Sequence, residues 1–212
     1  MQATLEFRTA VLEHPLVTEA QDILHDSDAA LVTASQQGDT EAFGQLYRRY
    51  ARMVHGILLG RVRPAEVEDL VQDVFLRALP RVRDLRDTSR FGSWLAAITR
   101  NIATDYHRRS QMQPDTPNDA TDLDEQPTKS TLSGSREAAE ILECIRGLPE
   151  AYRETLILRL VEGMTGPEIA ARTGLVPGSV RVNLHRGMNQ LRQKLAQREL
   201  RHTNASRNRT IT

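Results

Sequence analysis

The chain has 212 residues, of which 39% are hydrophobic and 26% charged, and its 28 basic and 28 acidic side chains cancel to zero net charge. That length holds one domain or two small ones; a single cysteine, Cys144, excludes an intrachain disulfide and fits a reducing cytoplasm; and no run reaches the roughly 18–20 apolar residues of a membrane span. The charge is unevenly placed, at −4 over residues 1–27, +3 over 28–109, −3 over 110–136, +1 over 137–197 and +3 over 198–212, so two basic blocks flank an acidic one.

Residues 1–27 are weakly patterned, acidic and interrupted by Pro15. They lack the basic-then-apolar order of a signal peptide. They read as an N-terminal extension and a mobile leader, although a short helix over Val17–Leu24 is also compatible with the pattern.

Four helices are predicted next. Asp28–Gln37 is a modest amphipathic start, broken at Gly38, and Asp39 is placed to cap the second helix. There Phe43, Leu46, Tyr47, Tyr50, Val54, Ile57 and Leu58 recur every three or four residues, as a core stripe does. The third helix opens at Pro64, with Glu66, Glu68 and Asp69 against the positive end of its dipole. Its inward stripe is Val67, Leu70, Val71, Val74, Phe75, Ala78 and Leu79, and Pro80 is expected to stop it. The fourth runs from about Arg90 to Arg109, with Phe91, Trp94, Leu95, Ile98, Ile102 and Tyr106 inward. No alternating strand pattern interrupts this all-helical domain, which spans 28–109.

Residues 110–135 hold three prolines, five acids and few core residues, a composition that buries too little apolar surface to offset its ordering entropy. They read as a flexible acidic linker. A second helical domain follows over 136–197. Ala139, Leu142, Ile145 and Leu148 mark its first helix; Pro149 starts a second, in which Tyr152, Leu156, Ile157 and Leu160 face inward.

The domain closes on a helix-turn-helix from Thr165 to Lys194. Thr165 and Glu168 have capping-box spacing, Gly174 suits a left-handed turn, and Pro177 suits the first turn of a new helix. Val180, Leu184, Met188 and Leu191 form its buried stripe. Between Pro177 and Arg198 stand five Lys/Arg and no Asp or Glu. An acid-free second helix suits the major groove of DNA; the alternative is a packed hairpin with a solvated basic face. Residues 198–212 read as a basic disordered tail.

No catalytic constellation is legible. The six histidines, 14, 25, 55, 107, 185 and 202, do not pair with each other or with Cys144 at metal-ligand spacing, and no phosphate-binding glycine loop or nucleophile elbow occurs. No enzyme activity, metal or cofactor is expected. Two helix faces are more informative. Glu66, Asp69, Gln72, Asp73 and Leu76 share the outer side of the third helix, either as a solvated acidic face or as a docking face with Leu76 as apolar anchor. Arg100, Asn101, Thr104 and Arg108 share a side of the fourth, either as a salt-bridged surface or as a match to phosphates and base edges. The polar loop Asp84–Arg90 precedes that helix and could hold an unstacked base.

Five ordered segments, GDTEAFGQLYRRY, AEVEDLVQDVFLRAL, FGSWLAAITRNIATDYHRR, LPEAYRETLILRLVEGMTGPEIAARTG and SVRVNLHRGMNQLRQKL, resemble the successive signatures of a bacterial RNA polymerase sigma factor. Only regions 2 and 4 are represented, as in the extracytoplasmic-function group of the sigma-70 family. The resemblance covers about 28–109 and 137–197. It implies an all-α fold of two small helical domains, a four-helix region 2 and a helix-turn-helix region 4, joined by the linker. It implies a transcription initiation factor that works with core RNA polymerase in the cytoplasm.

By that likeness Asp69, Gln72, Asp73 and Leu76 dock on the beta-prime coiled coil, and the beta flap is a second polymerase contact. Asp84, Asp87, Ser89, Arg100, Asn101, Thr104 and Arg108 contact the minus-10 element and assist melting. Ser179, Arg181, Val182, Asn183, His185 and Arg186 read the minus-35 element. Promoter DNA is then the second partner, and the resemblance also admits an anti-sigma factor. The chain departs from the family pattern at Asn183, where a basic residue is common, and at Pro177, whose counterpart lies one position earlier. A stand-alone helix-turn-helix regulator would explain 165–194 but leave the Asp69–Leu76 face without a role; an adaptor protein would leave Arg181 and Arg186 without one.

Overall fold

A computed structural model describes residues 28–112 and 129–209, and side chains over 28–110 and 137–198. The leader with its candidate helix, most of the linker and the last three residues lie outside the described residues. Every described element is helical, and no described helix is long and apolar enough to cross a membrane.

In the first domain α1 spans Asp28–Gln36 and α2 Thr40–Leu59. Gly38 takes a φ of 99° between them. Asp39 then caps α2, its carboxylate accepting from the backbone N–H groups of Glu41 and Ala42 at 2.9 and 3.0 Å. Leu46, Met53, Val54, Ile57 and Leu58 of α2 are fully buried, so this helix is the axis on which α1, α3 and α4 pack. A 3-10 turn, Pro64–Glu66, leads into α3, Val67–Arg81. Phe75 of α3 lies against Tyr47 and, edge-on, Phe43, with ring centroids 4.5 and 6.3 Å apart. Two short 3-10 turns, Val82–Asp84 and Thr88–Arg90, precede α4, Phe91–Met112. Phe91 stacks edge-on against Tyr50 at 5.1 Å. The Tyr50 hydroxyl donates to Asp28 at 2.7 Å, and burial followed by that bond pushes its pKa well above the usual range.

The second domain holds α5 Lys129–Arg146, α6 Glu150–Leu160, α7 Gly166–Thr173 and α8 Pro177–Arg209. The capping box forms as its spacing implies. The Thr165 N–H donates to Glu168 at 2.7 Å, and the Glu168 N–H donates to the Thr165 hydroxyl at 3.3 Å. Those bonds, backbone first, hold the Glu168 carboxyl below the usual carboxylate range. Gly174 ends α7 in the left-handed conformation, φ 74°. Val180 and Leu191 are buried, with Leu184 and Met188 packed beside them.

Several expectations need correction. Pro80 does not stop α3. It sits one residue from the helix end, where its missing N–H forfeits a single bond, and the ladder resumes from the Val82 N–H to the Ala78 carbonyl. Leu79 is exposed rather than part of the core, and so is Ala139 of α5, whose inward residues are Ile141, Leu142, Cys144, Ile145 and Leu148. Residues 129–135, expected in the linker, wind into α5. Residues 198–209, expected as a disordered tail, continue α8. Both extensions follow from helix cooperativity: once packing nucleates a helix, each further turn without proline adds hydrogen bonds at little cost.

The two domains are not separate bodies on a string. One contiguous apolar core runs through both. Helix α6 is buried on more than one side. Leu156 and Ile157 point where the spacing predicts, and Glu154, Thr155 and Leu158 are buried as well, because α6 also packs on α2.

Candidate polymerase and nucleic-acid interfaces

Three polar faces emerge from this packing. On α3, Asp69, Gln72 and Leu76 are exposed and Asp73 is half-buried. Leu76 is 67% exposed, an apolar side chain left in water beside carboxylates that make no ion pair among the described residues. Burial of the opposite side of α3 in the core forces this side outward.

The second face combines the loop before α4 with α4 itself. Gln36 of α1 pins the loop by donating from Nε2 to the carbonyls of Val82 and Leu85 at 3.0 and 2.8 Å. Asp87 caps the turn Thr88–Arg90, accepting from the Ser89 N–H at 3.1 Å and the Ser89 hydroxyl at 2.5 Å. The hydroxyl bond is the main reason its pKa is lowered, with the Ser89 N–H and the Arg90 charge adding to it. Arg90 Nε lies 3.2 Å from the same carboxylate. Asp84, Asp87 and Ser89 are exposed around this fixed turn. On α4, Asn101, Thr104 and Arg108 are exposed; Thr104 donates to the Arg100 carbonyl, and Arg108 pairs with Asp105 at 3.1 Å.

Arg100 behaves differently from its expected companions. Its guanidinium donates to Glu154 of α6, Nη2 to Oε1 at 2.6 Å and Nε to Oε2 at 3.1 Å. The hydrogen bond to Glu154 raises its pKa further, against the opposing effect of burial. Arg61, at the end of the α2 segment, grips the same carboxylate at 2.9 Å and also pairs with Glu150. Glu154 is thus a second-domain anion held by two first-domain cations.

Nearby, His55 of α2 pairs with Glu162 at 2.6 Å and lies 3.7 Å from Glu68. Burial pushes its pKa down, but the Glu162 hydrogen bond and the two carboxylate charges outweigh that and raise it. Arg153 donates to the Gly60 carbonyl at 3.0 Å, and Arg146 donates to that of Val62. None of this network was foreseen from the sequence. The available signal was α6 itself: Leu156, Ile157, Leu158 and Leu160 are too many apolar residues for a helix that buries one stripe.

The third face is the first half of α8. Ser179, Arg181, Val182, His185 and Arg186 are exposed, and Asn183 is partly covered. Val182 is 44% exposed. Neither Arg181 nor Arg186 makes an ion pair among the described residues. The helix starts at Pro177, so the positive end of its dipole lies in the same segment as these exposed cations, a combination that suits a phosphate-bearing groove. No cluster of three metal-ligating side chains occurs among the described residues.

The chain carries two matches to one family. Residues 46–112 match the family model of Sigma-70 region 2 and residues 138–191 that of Sigma-70, region 4. The ECF RNA polymerase sigma-E factor of Haemophilus influenzae is 31% identical over 183 residues, which span 80% of this chain and 95% of that protein. The chain belongs to the extracytoplasmic-function sigma factors. RNA polymerase sigma factor CarQ of Myxococcus xanthus is 33% identical across 78% of this chain and 95% of its own. ECF RNA polymerase sigma factor BldN of Streptomyces coelicolor is 32% identical across 80% and 68%. Among solved structures, CnrH in complex with the cytosolic domain of CnrY has a TM-score of 0.55 at 26% identity, covering 81% of this chain and 98% of that one. This sigma factor is therefore a promoter-directed initiation factor that works with RNA polymerase. The matched regions carry all three faces: the first two lie in region 2 and the third in region 4.

Proposed function

We propose that this sigma factor grips core RNA polymerase through α3 and promoter DNA through α4 and α8, and that it assists melting by capturing unpaired bases rather than by hydrolysing anything. Leu76 is the apolar anchor for the beta-prime coiled coil, and Asp69, Gln72 and Asp73 select a basic partner around it. Asp84, Asp87 and Ser89 line the loop that receives an unstacked base of the minus-10 element. Arg100, Asn101, Thr104 and Arg108 track the adjoining strand. Ser179, Arg181, Val182, Asn183, His185 and Arg186 read the minus-35 element in the major groove, while the beta flap holds region 4 in place. The factor acts in the cytoplasm, and by analogy with CnrH it takes a regulatory protein partner.

The observation that carries this reading is the pairing, in one chain, of an unpartnered acidic face around an exposed Leu76 with an acid-free recognition helix whose Arg181 and Arg186 are unpaired. Run-off transcription on genomic fragments tests it. Core polymerase plus this protein initiates at a defined set of promoters that core alone ignores. A tight footprint by the protein without polymerase, and no run-off product with it, would instead identify a stand-alone regulator.

A further inference from the structure

A glycine inside a helix is retained where a side chain has no room or where the backbone turns left-handed. Gly56, in the closed joint between the domains, is retained for room: a Cβ there would lie 2.8 Å from both Leu158 and Glu162. Gly187, on the inner side of α8, is similar, with Leu156 at 3.0 Å and Tyr152 at 3.1 Å from the place of its Cβ. Gly178, in the first turn of α8, fits neither account. Nothing stands within 4 Å of the position its Cβ would take, and its φ is not positive. Glycine is the poorest helix former after proline, so the helix is weakened here with no gain in packing.

Val182 stands one turn further on. It is 44% exposed, the one large apolar side chain of α8 so placed among the described residues. A β-branched residue is a poor choice for an exposed helix position, on propensity and on hydration alike. At about 100° per residue it lies roughly 200° around the helix from the buried Val180, and so points away from the domain. Ser179, His185 and Arg186 are exposed around it. Asn189 Nδ2 lies 3.3 Å from His185 Nε2, and Arg192 donates to Asn189 Oδ1 at 3.3 Å, so the polar side of this face is cross-linked within itself. Helical side chains lean toward the N-terminus, so Val182 leans over the bare backbone of Gly178, about 5–6 Å away. The pair forms an apolar notch flanked by polar and cationic side chains.

We propose that this notch reads the C5-methyl group of a thymine in the major groove, so that Gly178 and Val182 fix an A·T pair at one position of the promoter's upstream element. The inference rests on the reading of α8 as the minus-35 helix given above, and adds which chemical group that helix selects. Of the four bases only thymine presents an apolar group on its major-groove edge. Arg181 and Arg186 draw the phosphates in. Any other base edge pressed against Val182 would lose its water without gaining a partner. The absent Cβ at Gly178 lets the helix backbone approach the base edge closely enough for the contact.

The test uses holoenzyme, assembled from core polymerase and the full-length chain, on a promoter returned by the run-off assay. Each thymine of its upstream element, on either strand, is replaced in turn by deoxyuridine, which deletes the methyl group and nothing else. One replacement should weaken wild-type binding about fourfold, the effect of withdrawing one buried methyl from an apolar contact. Val182→Ala holoenzyme should bind the thymine and uracil forms alike. Gly178→Ala should bind the thymine form more weakly, yet the free chain should unfold at an equal or higher temperature, because alanine is the better helix former and meets no atom of the fold. Loss of thermal stability in Gly178→Ala would return that glycine to the fold and overturn its part in the notch. Uracil tolerated at every position, in an element whose binding still falls with Arg186→Ala, would overturn the methyl contact and leave the minus-35 reading standing. Indifference to Arg186→Ala as well would bring down that reading and the notch with it.

Discussion

Arg100 and Arg186 sit on helices proposed above to meet the same promoter, yet their surroundings are opposite. Arg100 is anchored to a carboxylate of the other domain at 2.6 Å, whereas Arg186 stands on an acid-free surface and is unpaired among the described residues. A cation with no partner keeps its full attraction for phosphate and depends only on ionic strength. A cation with a buried partner must first be released, so its use is gated by whatever breaks the pair. If both helices meet promoter DNA as proposed, Arg186 is available at once and Arg100 only after release from Glu154.

The largest expected effect breaks the conditional side. Glu154→Ala strands the Arg100 guanidinium and leaves Arg61 paired with the exposed Glu150 alone. It should destabilise the interdomain joint by about 3 kcal/mol, which interdomain energy transfer reads directly. Next is the polymerase face, which neither arginine touches. Asp73→Ala with Leu76→Ala should weaken core binding by roughly 2–3 kcal/mol with little change in thermal stability, because Leu76 is exposed and Asp73 makes no ion pair among the described residues; fluorescence anisotropy with labelled sigma factor measures it. On the unconditional side, Arg186→Ala should weaken binding to a minus-35 duplex by about 1–3 kcal/mol while closed-state energy transfer stays as in wild type. Equal binding by the variant would remove Arg186 from the base-reading set.

The smallest effect is on pH. His55 is raised in the closed, folded chain, so its pair with Glu162 contributes fully below the unfolded histidine value of about 6.5 and is lost as pH rises through the higher native value. His55 faces Glu162 and Glu68, with Arg52 at the far side of Glu162. The closed form should therefore loosen on going from mildly acidic to alkaline buffer, and His55→Gln should flatten that profile. A profile that keeps its slope in the variant would assign the pH dependence elsewhere.

How much of this was legible in the sequence divides along the same line. The caps at Asp39 and Thr165, the left-handed Gly174, the α2 stripe and the exposed recognition face were all readable. Each depends on residues within a few positions of one another, where spacing and propensity decide the outcome. The joint was not readable. Gly56 and Leu158, or Arg100 and Glu154, are far apart along the chain, and nothing in the local pattern of either announces the other. Leu158 is buried by a surface of a different domain, which no spacing within its own helix announces. Helix ends failed for a milder reason: Pro80 and residues 129–135 were judged on composition, but the packed turn next to each carries the helix on.

Gly56 has a genetic corollary. Because the closed joint leaves no room for a Cβ there, almost every missense change in that codon pushes in one direction, toward the open chain. Alleles that loosen the joint should arise at Gly56 readily and as single substitutions, whereas alleles that tighten it have no comparable target. A screen for lowered interdomain energy transfer should therefore return this codon repeatedly, and its absence from such a collection would be informative in itself.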